Sequence, residues 1–272
     1  MANTAHKQQQ KERFQFGENW ERFLELLDDD RIAASQASLK EMLDVENLSG
    51  MRFLDVGSGS GLFSLAARNL GASVVSFDYD RQSVACSQEL KRRYWLDDNE
   101  WQVEEGDVLD RNYMESLGKF DVVYSWGVLH HTGNMWVALG NVAPLVSPGG
   151  RLFIAIYNDQ RWLSKYWKRV KQLYNRGTMG EWLVVGSHAP YFLIRQAART
   201  IVTRSKNPRR GMDPWRDIVD WLGGYPFEVA RPEEIFNFFR ERDFSLGKIT
   251  TVDSRHGCNQ FVLRKIENTK QS

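Results

Sequence analysis

Residues 53–63 read FLDVGSGSGLF: an apolar run carrying one carboxylate, glycine at every second position, and apolar residues again. Few folds accept a strand that turns within so few residues into a helix. Glycine permits the turn at Gly57, Gly59 and Gly61, and it lets backbone amides approach a ligand where a Cβ would stand in the way. The segment therefore predicts a β-strand ending in a ligand-facing turn, with Asp55 inside the strand and Ser58 within the turn.

The texture downstream agrees. Short apolar runs alternate with helical stretches: RFLDV, a helix to Asn69, SVVSFD, a helix from Arg81 to about Tyr94, then WQVEEGDV, FDVVYSW and RLFIAIYN as strands. Such alternation predicts an α/β fold with a parallel sheet covered by helices on both faces, and ligands in these sheets bind beyond the carboxyl ends of the strands. That rule sets Gly57 to Gly61, Asp78, Asp107 and the segment Ser125 to His131 on one rim. Before the glycines, Phe14 to Leu27 and Ile32 to Leu43 have helical spacing. After Asn158 the alternation stops; PEEIFNFFRERDF then reads as a helix, and SLGKITTVDSR and NQFVLRK as two strands able to pair antiparallel.

Charge and composition narrow the function. The formal net charge of +1 excludes a globally basic nucleic-acid binder. Asn158 to Tyr225, however, holds 13 Lys and Arg against 5 Asp and Glu, about +8 in one segment. The two cysteines, Cys86 and Cys258, fit neither a disulfide framework nor a zinc site, and no metal is expected. The N-terminus lacks the apolar core of a signal peptide and no window of membrane-spanning length is apolar, so the expected location is the cytoplasm, with the basic segment able to sit on the inner face of a membrane.

The glycine spacing is G-x-G-x-G; the dinucleotide fingerprint would need a small residue where Leu62 stands, which weakens a pyrophosphate reading. Asp78, 23 residues after Asp55, is placed to accept hydrogen bonds from ribose hydroxyls. With Asp107 ending the third strand, three carboxylates suit a cofactor bearing amine, ribose and adenine donors.

In order, DVGSGSG, FDYD, EEGDVLD, FDVVYSWGVLHH and LVSPGGRLFIAIYN resemble the class I S-adenosylmethionine-dependent methyltransferases. The resemblance covers Met51 to Asn158 with the last helix and two strands. It implies a doubly wound, mostly parallel seven-stranded Rossmann-like sheet with an antiparallel last strand, N-terminal helices and a helical insert after the fifth strand. The parts would be an N-terminal cap over 1–50, a cofactor-binding core over 51–157, a basic insert or lid over 158–225, and a C-terminal completion over 226–272. It also implies S-adenosylmethionine as cofactor and S-adenosylhomocysteine as product. Asp55, Gly57, Ser58, Gly59 and Gly61 would hold the methionine part, Asp78 and Tyr79 the ribose, and Asp107 with Val108 the adenine. Ser125 and Trp126 would border the methyl donor, and Trp20 in FGENW would close over it.

His130 and His131 follow the fourth strand, where such enzymes open to the acceptor, and an ordinary histidine pKa suits a general base for a hydroxyl. A histidine bonding backbone groups at a strand-to-helix turn is the alternative for both. SWGVLHH occupies the place of the N-P-P-[YF] motif of adenine and amide-nitrogen methylators, which favours a small-molecule or lipid-linked oxygen acceptor. Tyr157, Asn158 and Tyr225 border the insert as candidate acceptor contacts, and RHGCN, with His256 and Cys258, reads as a hairpin loop. The insert suits either an ordinary amphipathic cap or a lid at a membrane surface. An RNA or protein target recruited through the insert ranks second, with Trp162, Tyr166, Trp167 and Tyr174 as candidate base-stacking residues.

Overall fold

The computed structural model describes Leu24 and residues 27–203, 214–253 and 257–267. In chain order the elements are α1 (Asp29–Leu43), β1 (Arg52–Val56), α2 (Leu62–Asn69), β2 (Ser73–Asp78), α3 (Arg81–Tyr94), β3 (Trp101–Glu105), α4 (Arg111–Ser116), β4 (Phe120–Trp126), α5 (Met135–Val142) and β5 (Val146–Tyr157). The insert helices α6 (Trp162–Tyr174), α7 (Thr178–Thr203) and α8 (Pro214–Gly223) follow, then α9 (Pro232–Arg240), β6 (Phe244–Thr250) and β7 (Cys258–Lys265).

The seven strands form one sheet in the order β3-β2-β1-β4-β5-β7-β6. Strands β1 to β5 run parallel, and β7 lies antiparallel between β5 and β6. β1 sits inside the sheet with β2 on one side and β4 on the other, so the connections leave it in opposite directions. That topological switch point opens a crevice at its carboxyl end, where the glycines stand.

Successive strand residues point to opposite faces, and the sequence fills both. Phe53, Val122 and Phe153 pack with Leu39, Leu43, Leu65 and Leu90 on the α1–α3 side, while Leu54, Val123 and Ile154 pack with Leu139, Ile235 and Phe239 on the other. Aspartates start three of the helices: Asp28 caps α1, Asp80 caps α3 and Asp110 caps α4, each accepting from backbone amides of the first turn. The acidic run at Asp28 thus opens a helix. Phe53 is fully buried, and Phe53→Ala is expected to cost about 3–5 kcal/mol; urea denaturation with an unchanged slope would measure it.

Two local readings change. Cys258 belongs to β7, paired with Tyr157 of β5, so the hairpin loop of RHGCN is shorter than its sequence suggests. β5 begins at Val146, so VSPGG is strand where RLFIAIYN alone reads as one. The helix expected over Phe14 to Leu27 lies almost wholly outside the described residues, as do Trp20 and His256.

Candidate cofactor and acceptor site

The turn after β1 is closed by backbone bonds: Gly57 and Ser58 both donate N–H to the Phe77 carbonyl, at 2.9 and 3.1 Å. Gly57 and Gly61 have φ of +77° and +79°, the left-handed region that favours glycine. Space is as restrictive as torsion. A Cβ at Gly61 would stand 2.8 Å from the Ser87 hydroxyl, and one at Gly57 would enter the Val128 side chain. The turn therefore lies tight against α3 on one side and the segment after β4 on the other.

The acids gather around it. Asp78, the last residue of β2, accepts from the Gly59 amide through Oδ2 and from the Asp80 amide through Oδ1, each at 2.9 Å. Asp55 is buried in β1 and accepts from the Ser64 hydroxyl at 2.6 Å. Asp107 follows β3 and accepts from the Leu109 amide at 2.9 Å, while Tyr79 is exposed beside Asp78. Two expected residues face elsewhere with part of their groups: the Val108 side chain joins the core and its carbonyl accepts from Asn141, and the buried Ser125 hydroxyl donates to the Val56 carbonyl, tying β4 to β1. Trp126 packs partly buried against the α1–α3 side of the core.

The acceptor side is a 3-10 turn, Leu129–His131. His130 is fully buried between His131 and Tyr157, with ring centroids 4.5 and 4.1 Å away. His131 Nδ1 lies 2.7 Å from the Pro226 carbonyl, which fixes the proton on Nδ1 and leaves Nε2 as an acceptor. The segment after α8 is thereby stitched to the turn, because Glu228 also donates its N–H to the His130 carbonyl and accepts the Met135 amide.

Comparison with known proteins bears on this rim. The "Methyltransferase domain" family profile matches residues 54–152, the stretch from β1 into β5 that builds this rim. The ubiquinone biosynthesis O-methyltransferase of Agrobacterium fabrum is 28% identical over 195 residues, spanning 68% of this chain and 74% of that enzyme. The enzyme of the same name from Brucella melitensis biotype 2 is 27% identical over 153 residues, 54% of this chain and 56% of its own length. Among solved structures, magnesium protoporphyrin IX methyltransferase from Synechocystis PCC 6803 with bound S-adenosylhomocysteine superposes with a TM-score of 0.51 at 16% identity, covering 86% of this chain and 81% of that one. An O-methyltransferase family protein from Burkholderia thailandensis reaches 0.55 at 15% identity, covering 88% and 58%.

These matches support a class I S-adenosylmethionine-dependent methyltransferase.

Electrostatics at this rim differ from the sequence expectation. Burial, together with the neighbouring Asp78, pushes the Asp55 carboxyl up to about 7 against the opposing Ser64 hydrogen bond. Burial likewise raises Asp78 to about 6, although the Asp80 and Gly59 amides hold it down. Burial, then the charge of Lys171, drives His131 down to about 3. Neither ring nitrogen of His130 has a partner at hydrogen-bond geometry among the described residues. Burial and the like charges of His131 and Lys171 push it well below the ordinary value, against a weaker pull from the Ala155 backbone. Both imidazoles are therefore neutral at physiological pH, and the ordinary-pKa argument for a strong base fails for each.

Several residues escaped the sequence reading. Ser64 and Ser87 are buried hydroxyls serving Asp55 and the Gly59 carbonyl. Ser64 does carry a signal, being polar on an apolar helical stretch that faces the sheet. Lys171 is fully buried on α6, donating to the Trp221 carbonyl with its ammonium over the Trp221 and Phe227 rings at 4.4 and 5.0 Å. Of the other acceptor candidates, Asn158 spends its amide on the Asp253 carbonyl and on Asn259, and the Tyr225 hydroxyl accepts from Gln172.

Proposed function

We propose that the chain transfers the S-adenosylmethionine methyl group to an oxygen of a small-molecule or lipid-linked acceptor. The observation that carries this reading is the packing of Val128 over Gly57, which sets the acid-lined turn against the His130–His131 turn. The methionine part would lie along Asp55 and Gly57 to Gly61, the ribose hydroxyls on Asp78 with Tyr79 beside them, and the adenine at Asp107 and Val108. Ser125 and Trp126 contribute backbone and ring next to the sulfonium. The relatives named as O-methyltransferases support oxygen over nitrogen or carbon.

Methyl transfer is an in-line displacement: the acceptor oxygen forms the new C–O bond as the C–S bond breaks, and the sulfonium leaves as a neutral thioether. Charge is consumed, so a dry site helps an anionic nucleophile. Burial, then the charge of Lys171, holds His131 neutral, and Lys171 together with the arriving sulfonium would favour an ionised acceptor oxygen. His131 then orients the oxygen rather than taking its proton, which passes to solvent as the oxygen ionises: the His131 Nδ1–H is held by Pro226, and Nε2 accepts from the acceptor hydroxyl until that proton leaves. His130, buried behind it, supports the turn.

His131→Ala is expected to lower kcat by about 5- to 150-fold, the about 1–3 kcal/mol of a lost orienting hydrogen bond, while cofactor affinity, read by calorimetry, stays within about twofold. Equal losses in both would remove the assigned role. A panel of hydroxyaromatic and amine acceptors, scored by S-adenosylhomocysteine release, should respond at the hydroxyl; turnover of amines alone would overturn the choice of oxygen.

The membrane-surface reading of the insert belongs to the same proposal: a lipid-linked acceptor would reach the enzyme where the insert meets the bilayer, which makes the chain a peripheral protein of the inner face. No described helix is long and apolar enough to cross a membrane. The nucleic-acid alternative loses support because Trp167 and Tyr174, two of its four stacking candidates, are buried in the insert's own core with Val170, Val184, Ile218 and Leu222.

A further inference from the structure

Helix α7 is amphipathic in an inverted sense. Most residues it turns inward are small or modest: Gly180, Val184 and Ala189 are buried, and Phe192 alone of its aromatics packs partly buried against Trp167. Gly180 is seated against the Leu173 backbone of α6, where a Cβ would clash. The residues it turns outward are the large apolar ones. Met179 is 79% exposed, Trp182 74%, Leu183 60% and Ile194 70%, with Gly186 and Pro190 completing the same face at helical spacing. Trp162, at the start of α6, is 74% exposed beside this face's partner helix.

Single exposed apolar residues need no explanation, but a contiguous helical face of them marks a surface built to be covered. Its surroundings indicate by what. The solvent side of α6 and its flanks exposes Arg161, Lys165, Lys168, Arg169 and Arg176, interleaved with Trp162, Tyr166 and Leu173. An exposed aliphatic and tryptophan face on α7 beside five exposed cations on and flanking α6, the helix packed against it, matches the make-up of helices that lie in the plane of an anionic bilayer, apolar face among the acyl chains and cations at the headgroups.

We propose that the outward face of α6 and α7 docks on a bilayer containing anionic phospholipid, with Met179, Trp182, Leu183 and Ile194 inserted and the α6 cations on the headgroups. This names the surface on which the membrane-surface part of the proposed function rests. Two other occupants fit less well. A second copy placed symmetrically on this face would bring the same cations against one another. RNA would find cations and the rings of Trp162, Tyr166 and Trp182, but it would leave Met179, Leu183 and Ile194 against a charged backbone instead of burying them.

The test is co-sedimentation of the full chain with phosphatidylglycerol-containing vesicles and with pure phosphatidylcholine vesicles, at low and moderate salt. Binding to the anionic vesicles is expected, weakening as salt rises. Trp182→Glu combined with Leu183→Glu should abolish sedimentation. Loss of each cation in Lys165→Gln and Lys168→Gln should lower affinity about fivefold. Should the double glutamate variant fail to fold, Met179→Ser with Ile194→Ser tests the same face more gently, and cofactor calorimetry verifies folding of every variant. Absence of vesicle binding, binding indifferent to these substitutions, a wild-type dimer that they dissolve, or RNA binding through these residues without vesicle binding would each overturn the proposal. Methyl transfer to a water-soluble hydroxyaromatic acceptor, measured on the same variants, should be retained; its retention alongside failed vesicle binding would remove the docking surface and leave the proposed chemistry standing.

Discussion

Asp78→Ala should weaken S-adenosylmethionine binding by about 1–3 kcal/mol, the cost of leaving buried hydroxyl donors without an acceptor. At the upper end that is more than a hundredfold in affinity. The loss has two sources. The carboxylate is at the end of β2, where on the proposed reading it takes the ribose hydroxyls, and it also holds the Gly59 amide at 2.9 Å, so the turn loosens with it. Asp78→Asn separates them, because its side-chain oxygen can still take the Gly59 amide while a full carboxylate for the ribose is gone; it should recover part of the affinity. Titration calorimetry measures both, and wild-type affinity in Asp78→Ala would remove the ribose assignment.

The second large effect is a proton linkage. Asp55 at about 7 and Asp78 at about 6 are both raised above the ordinary carboxylate values they regain on unfolding. A raised acid binds more protons folded than unfolded, so between about pH 4 and 7 the empty protein loses stability as pH rises, and above that window the loss is complete. Cofactor binding has the opposite slope. The sulfonium and the amino group of S-adenosylmethionine favour ionised carboxylates, so binding should release protons and strengthen as pH climbs through about 6 and 7, approaching tenfold per pH unit for each proton released. Calorimetry in buffers of different ionisation heat counts those protons directly. Affinity flat between about pH 5 and 8 would mean that the two carboxylates ionise independently of the ligand.

Both predictions start from residues that the sequence displays, and their sizes depend on what it does not. The strand RFLDV, the helix from Arg81 to Tyr94 and the strand-end acids were legible because local periodicity and glycine punctuation encode them, and Asp80 at the head of α3 is a capping signal readable in one dimension. Ser64 under Asp55, Val128 over Gly57 and Pro226 on His131 are partners fixed by topology, brought together across 9, 71 and 95 positions. No local pattern announces the last two, whereas Ser64 shows only as a polar residue on an apolar helical stretch. The histidines make the point most sharply: their place after β4 was readable, but their protonation depends on how completely the insert and the segment after α8 bury them. Lys171 is the reverse case. In WLSKYWKRVKQLY it is one of four cations, and only packing separates the buried one from the exposed Lys165, Lys168 and Arg169.

The central claim is that the acid-lined turn and the histidine turn act together on an oxygen acceptor. The most direct test supplies S-adenosylmethionine carrying a ¹³C-labelled methyl group to the full chain with hydroxyaromatic acceptors in lipid vesicles, and locates the label in the product by NMR. The account predicts the carbon shift of an O-methyl ether and one equivalent of S-adenosylhomocysteine, both lost in Asp78→Ala at limiting cofactor. Label on nitrogen, on carbon or in added RNA or protein, with none on oxygen, would contradict it.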